Sequence, residues 1–331
     1  MFRNCALRST TFRCIARTSG AVFQRNTLRD AKAASNVVYV YGKLHSLKAA
    51  PDAPAGLRQL LRTTVSHHAH ELAPQGVANV AWAFAKQELQ FEDLLLPLQE
   101  AVAHTTTKMN AQDVANLLWA FATLEMELGA AHEPLIQAAV RVAGAMEPPH
   151  VSNSLSAFAK LGYDLGAARE PLMQATVRVA DTMNAQGVVN TMSAFAKLGM
   201  DLGVAREPLM QATVRVADTM NAQEVANTIW AFAKLGMDLG VAREPLMQAT
   251  VRVADTMNAQ EVANTMWAFA TLGLDPGVAC DPLLQQVPRV AAVLKPAELR
   301  QVLIGLIWLQ GQSVEGSEMR RAWKACRRRK S

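Results

Sequence analysis

The chain has 331 residues, half of them hydrophobic, with 33 Lys+Arg, 28 Asp+Glu and four cysteines. That is enough apolar sequence to bury a core, which excludes wholesale disorder, and Gly, Pro and Cys are too sparse for a collagenous chain or a disulfide scaffold. The net charge of +5 is unevenly placed: residues 1–29 carry six arginines and no acid, 320–331 carry seven bases and no acid, and 30–319 hold 20 bases against all 28 acids, a net of −8.

At the N-terminus, Arg3, Arg8, Arg13, Arg17 and Arg25 alternate with Phe2, Leu7, Phe12 and Ile15 in a Ser/Thr-rich stretch. On a helix this makes a basic amphipathic face, the signature of a mitochondrial transit peptide. Residues 1–29 are therefore read as a cleaved presequence, which takes Cys5 and Cys14 with it. The expected destination is the mitochondrial matrix, with a plastid as the alternative. No apolar run approaches the ~18 residues of a membrane span.

Residues 30–311 are a repeat array. The string AREPLMQATVRVADTMNAQ occurs unchanged from Ala168, Ala205 and Ala242, at 37-residue steps. Asn79, Asn116, Asn153, Asn190, Asn227 and Asn264 keep the same step, Gln301 continues it, and Asn36 joins it after six extra residues. Eight copies result, the first and last atypical, as terminal units of a stacked array are expected to be.

Each copy predicts two helices. Around Asn227, Asn221 and Glu224 form a capping box, EVANTIWAFAKL follows, and Gly236 supplies a left-handed stop. After the link MDLGVARE, Pro245 opens a second helix, LMQATVRVADTM, which ends at Asn258, the cap of the next copy. The fold class is all-α: an α-solenoid of about eight 37-residue helix–turn–helix repeats. Residues 312–331 are left as a basic C-terminal tail.

Equivalent positions stack into columns. Tyr41, Phe84, Phe121, Phe158, Phe195, Phe232, Phe269 and Leu306 read as a core spine. On the other side of the wheel Gln223, Asn227 and Lys234 fall in one polar stripe with Ala231 among them. The stripe recurs as Gln75/Asn79/Lys86, Gln112/Asn116/Thr123, Asn153/Lys160, Gln186/Asn190/Lys197 and Gln260/Asn264/Thr271. Trp82, Trp119, Trp230 and Trp267 lie at its edge, replaced by serine at Ser156 and Ser193. Amides, a cation and a flat ring on one repeated surface suit unpaired bases. Equally, the asparagines suit a ladder bonding the adjacent unit's backbone, and the tryptophans suit packing.

In the second helix, Arg141, Arg178, Arg215, Arg252 and Arg289 form a basic column, extended upstream by His104 and His67. Asp181, Asp218 and Asp255 stand three residues after their arginines, an ion-pair spacing, so the column reads as mainly structural. The pairs Arg169/Glu170, Arg206/Glu207 and Arg243/Glu244 read as solvated link residues. In the tail, Arg327, Arg328 and Arg329 are the densest cationic patch, with Trp323 nearby, and suit phosphates with steep salt dependence.

Nucleophile elbow, Walker loop, dinucleotide fingerprint and zincin motif are all missing, and no cysteine pair has metal spacing. His67, His68 and His70 cluster without the rest of a metal shell and read as a solvated loop. The expectation is a non-enzyme without cofactor or metal.

The phrase QEVANTIWAFAKLG, repeated every 37 residues behind an organellar presequence, resembles the octotricopeptide and heptatricopeptide repeat families over about residues 32–311. The architecture is also similar to helical-repeat subunits of kinetoplastid RNA-editing substrate-binding complexes. Both resemblances imply an organellar RNA-binding solenoid acting in RNA processing, stability, translation or ribosome assembly. Many such proteins end in a nuclease-like RAP domain. Here only about 20 residues follow the last repeat, so binding without cleavage is implied. The implied partner is single-stranded mRNA or rRNA, one base per repeat. The acidic array leaves a rival: an armadillo-like scaffold whose asparagines hold a protein subunit of an RNA-processing or ribosomal complex.

Overall fold

A computed structural model describes residues 69–86 and 92–311, together with Ser35, Asn36, Tyr39, Gly42 and Lys43 of an earlier helix. Residues 1–29, read from sequence as a presequence, together with Tyr41, His67, His68 and the tail with Arg327, Arg328 and Arg329, lie outside the described residues.

The described residues form α1 (Pro74–Lys86), α2 (Glu92–Thr105), α3 (Ala111–Leu124), α4 (His132–Val142), α5 (Pro148–Leu161), α6 (Arg169–Val179), α7 (Ala185–Leu198), α8 (Arg206–Val216), α9 (Ala222–Lys234), α10 (Arg243–Val253), α11 (Ala259–Leu272), α12 (Cys280–Val290) and α13 (Pro296–Gly311), with no strand among them. Odd-numbered helices carry the asparagine column and even-numbered helices the arginine column. The fold is an all-α solenoid, as the 37-residue period predicts. It divides into two compact units, up to Leu172 and from Met173.

Local chemistry sets each helix. Asn221 Oδ1 accepts the Glu224 N–H at 2.9 Å while Glu224 Oε2 accepts the Asn221 N–H at 2.9 Å. The same reciprocal box joins Asn258 to Glu261 and Asn110 to Asp113. Asn184 caps α7 through the Gly187 N–H, with no carboxylate to answer it. At the far end Gly236 takes φ +63°, a conformation that costs glycine nothing. Glu125 holds the equivalent position at φ 55° and is the one non-glycine with positive φ among the described residues. The second helix is shorter than its sequence pattern: α10 stops at Val253, and Ala254–Thr256 tighten into a 3-10 turn.

In the first unit α1 packs on α3 and α3 on α5; in the second α7, α9, α11 and α13 pack in succession. The phenylalanine spine from Phe84 to Phe269, closed by Leu306, is buried throughout. The earlier helix continues the first unit upstream, with the Tyr39 ring 5.3 Å from Trp82. A Cβ on Gly42 would stand 3.1 Å from Ala83, so this pair of helices is in close contact.

Candidate nucleic-acid interface

Crowding between neighbours leaves each odd-numbered helix one open strip. In α9 the residues from Val225 onward are buried except Asn227, Trp230 and Lys234, and exposed Gln223 precedes them. The spacing of four, three and four keeps these side chains on one helix face. The same strip is Gln112, Asn116, Trp119 and Thr123 on α3, Gln186, Asn190, Ser193 and Lys197 on α7, and Gln260, Asn264, Trp267 and Thr271 on α11.

One detail corrects the helical wheel. Ala231, placed within the stripe by angle, is fully buried, and tryptophan takes its place in the open strip. The reason is lateral packing. Gly305, three repeat positions after Ala194 and two after Ala231, has its Cα so near Met266 that a Cβ would stand 2.8 Å from Met266 Cβ. This column therefore faces the preceding odd-numbered helix.

The strip is unevenly satisfied. Gln301 Nε2 donates to Asn264 Oδ1 at 3.3 Å, a rung between side chains of adjacent repeats rather than the backbone ladder anticipated above. Asn116, Asn153 and Asn227 are half-buried and make no side-chain hydrogen bond. Asn79 is buried. Lys86 Nζ lies 4.4 Å from the Trp119 ring centre and 5.7 Å from that of Trp82. This arrangement joins a cation to two aromatic faces in the first unit. Lys160 Nζ meets Glu125 Oε1 at 3.5 Å in an exposed pair. Lys197 and Lys234 are exposed and form no ion pair.

The arginine column is structural, but its partners are not the aspartates. Arg141 Nη2 donates to the carbonyls of Thr106 and Met109, both at 2.7 Å. Arg215 reaches Ala180 O at 3.2 Å and Met183 O at 2.6 Å, and Arg252 reaches Ala217 O at 3.1 Å and Met220 O at 2.7 Å. Arg289 donates to the Met257 carbonyl. Each of these four guanidiniums closes the end of the preceding repeat's second helix, adding a charged donor to its last carbonyls where the helix dipole is negative. The signal missed in the sequence is a spacing of 32 and 35 residues, from arginine to carbonyls that every residue type carries.

Two other groups complete the inventory. Cys280 is half-buried at the start of α12, and burial, Asp281 and Asp275 push its thiol up to about 11. His70 pairs with Glu71 at 3.6 Å on an exposed turn, and no metal-capable cluster occurs among the described residues. Nor is any described helix long and apolar enough to cross a membrane.

A helical-repeat solenoid with one open polar and aromatic strip per repeat is the class that these features define. The chain belongs to the RNA-editing substrate-binding complex 6 protein family, whose family model matches residues 132–314. A protein of unknown function (DUF1601) family model matches residues 85–118. No curated protein matches the chain.

Proposed function

We propose that this protein is a mitochondrial RNA-binding subunit of an RNA-editing substrate-binding complex, holding single-stranded mRNA or rRNA without catalysing a reaction on it. The observation that carries this reading is the set of partnerless amides at Asn116, Asn153 and Asn227, each beside a tryptophan or serine and followed by a lysine or threonine. A half-buried amide loses water hydrogen bonds on folding, and a structural role would have supplied a partner. In the first unit the ligand surface is Asn79, Trp82, Lys86, Asn116, Trp119, Asn153 and Lys160. In the second it is Asn190, Lys197, Asn227, Trp230, Lys234, Asn264 and Trp267. The tryptophans stack bases, the amides meet base edges, and the lysines and tail arginines Arg327, Arg328 and Arg329 meet phosphates. The family name supports RNA processing, the arginine-rich leader supports the matrix, and the 37-residue period supports a heptatricopeptide-type repeat.

The test is binding of single-stranded RNA by the full chain and by Asn190→Ala/Lys197→Ala/Asn227→Ala/Lys234→Ala. We expect at least tenfold weaker binding with unchanged helicity. Losing two lysine contacts lowers the salt slope by about 1.4, at roughly 0.7 per phosphate on a single strand. Unchanged affinity and slope contradict the reading.

A second surface fits protein contact within the same complex. Val204, Val241 and Val278 are exposed at the 37-residue step. In the second unit Val241, Met247, Val278, Arg243, Glu244 and Asp275 line an open groove of about 540 Å³. Mixed charge around apolar side chains suits a protein partner better than a phosphate backbone. Val204→Ser/Val241→Ser/Val278→Ser should lose protein subunits and retain RNA; retention of every subunit contradicts it.

A further inference from the structure

Three valines stand out of the second unit at one step. Val204, Val241 and Val278 are 58%, 61% and 56% exposed, each in the 3-10 turn that leads into an even-numbered helix. A single exposed apolar residue is ordinary, but three in register make a patch. The patch is not flat. Between the first two turns Met210 fills the space beside Gly240, where a Cβ would stand 3.6 Å from Met210 Cε. Met247 and Gly277 hold the same positions one repeat on, yet a Cβ on Gly277 would meet nothing within 4 Å among the described residues. Pro276 stands there in place of Leu239. The space left between Val241 and Val278 is the groove of about 540 Å³.

The charge around this edge is one-sided. Asp201, Glu207, Asp238, Glu244, Asp275 and Asp281 are exposed along it, against Arg206 and Arg243. Arg243 is engaged within the protein, donating to the Asp275 carbonyl at 3.1 Å. The acids bond only to neutral donors: Asp201, Asp238 and Asp275 accept glycine N–H groups, and Glu207 and Glu244 accept the amides of Gln211 and Gln248. None of the six forms an ion pair with a described residue. An apolar groove among unpaired acids suits a cationic, amphipathic partner.

The conformation of that partner follows by elimination among the recurring ways of holding a peptide. Strand addition needs a sheet edge, and no strand occurs among the described residues. Polyproline segments dock on aromatic-lined grooves, and no aromatic residue lines this one. Phosphorylated motifs need an arginine cluster, and this edge has an excess of acid. A helix with its apolar stripe in the groove remains. The spacing agrees: packed helices of neighbouring repeats stand about 8–10 Å apart, and residues i and i+7 of a helix lie about 10.5 Å apart on one face.

We propose that the edge formed by Val204, Val241 and Val278 binds a basic amphipathic helix of a partner protein. One large apolar side chain of that helix enters the groove between Val241 and Val278. Another, two turns away, meets Val204 and Val241, and flanking lysines or arginines meet Glu207, Glu244 and Asp281. This gives the partner's chemistry for the protein-contact surface proposed above, and it rests on that reading.

The experiment is fluorescence anisotropy of labelled synthetic peptides with the full chain, without RNA. The probe is a helical Lys/Leu peptide with leucines at i, i+3, i+4 and i+7. One control carries Glu for every Lys, and the other a central Pro-Pro that breaks the helix. The Lys/Leu helix is expected to bind at least tenfold more tightly than either control. Val204→Ser/Val241→Ser/Val278→Ser is expected to weaken it at least tenfold. Glu207→Gln/Glu244→Gln/Asp281→Asn, which spares the acids that fold the links, is expected to weaken it at least threefold and to reduce its salt dependence. Both variants should keep the helicity of the parent. Affinity unchanged in the valine variant, equal affinity for the Lys and Glu helices, or equal binding of the Pro-Pro peptide overturns the proposal. The protein-contact reading itself stands or falls separately, on the loss of native subunits from the valine variant.

Discussion

An arginine that recurs every 37 residues invites a phosphate backbone, yet Arg141, Arg215, Arg252 and Arg289 of that column are spent on carbonyls of the preceding repeat. The stabilisation belongs to charge-assisted hydrogen bonds at a helix end, not to an arginine–aspartate pair. Arg252→Ala should therefore lower stability by about 1–2 kcal/mol, the lower end for bonds to a charged group because the guanidinium is exposed. Asp255→Asn should change it by less than about 0.5 kcal/mol. Urea midpoints of the two variants distinguish these partners, and equal losses would restore the aspartate reading. Cys280 gives a second residue-scale test. Its thiol stands about two pH units above the ordinary 9.0. At pH 8 its thiolate fraction, and hence its rate of alkylation by iodoacetamide, should be about a hundredfold below that of the same cysteine in the denatured chain. Mass spectrometry of the Cys280 peptide at timed intervals reads the ratio. The arginine spacing was legible in the sequence and its partner was not, because a backbone carbonyl leaves no residue-specific mark.

At the scale of helices the sequence was most informative. Capping asparagines, the reciprocal carboxylates and the glycine stops are local chemistry, so Asn221, Glu224 and Gly236 revealed their roles without tertiary structure. The stop after α3 breaks the rule: Glu125 holds a left-handed conformation that costs an L-residue about 1–2 kcal/mol. Its pair with Lys160 is exposed and returns little. Glu125→Gly is expected to raise the thermal midpoint, with a gain near 1 kcal/mol, and a fall in the midpoint would show that the pair outweighs the strain. The opposite sign applies to Gly305, whose missing Cβ lets α13 close on α11. Gly305→Val should destabilise the second unit by about 1–3 kcal/mol through overpacking against Met266, measured by denaturant unfolding. What the wheel misplaced was Ala231. A wheel knows the angle of a residue but not the two flanking helices, and those decide that an alanine is buried while the larger tryptophan one step before it stays partly open.

Over the whole molecule, the charge of +5 describes neither end nor middle. The array is acidic, but its acids cap helix starts, as Glu224 and Glu261 do, or fold links, as Asp201 and Asp238 do through the Gly203 and Gly240 N–H groups. Lys197 and Lys234 stand on the open strip without a paired acid, so a net charge of −8 does not decide what that strip meets. The repeat period disclosed the fold, the spine and the strip, because periodicity in sequence becomes adjacency in a solenoid. It could not separate a structural amide ladder from a ligand surface, since both need the same residue at the same step. The partnerless Asn116, Asn153 and Asn227 are what favours the ligand surface in the function proposed above. The most direct measurement is photocrosslinking of the full chain to 4-thiouridine-labelled single-stranded RNA, with adducts located by mass spectrometry. Adducts on peptides carrying Trp119, Trp230 and Trp267 of α3, α9 and α11 are the predicted result; adducts confined to even-numbered helices, or none on any odd-numbered helix, would contradict the account.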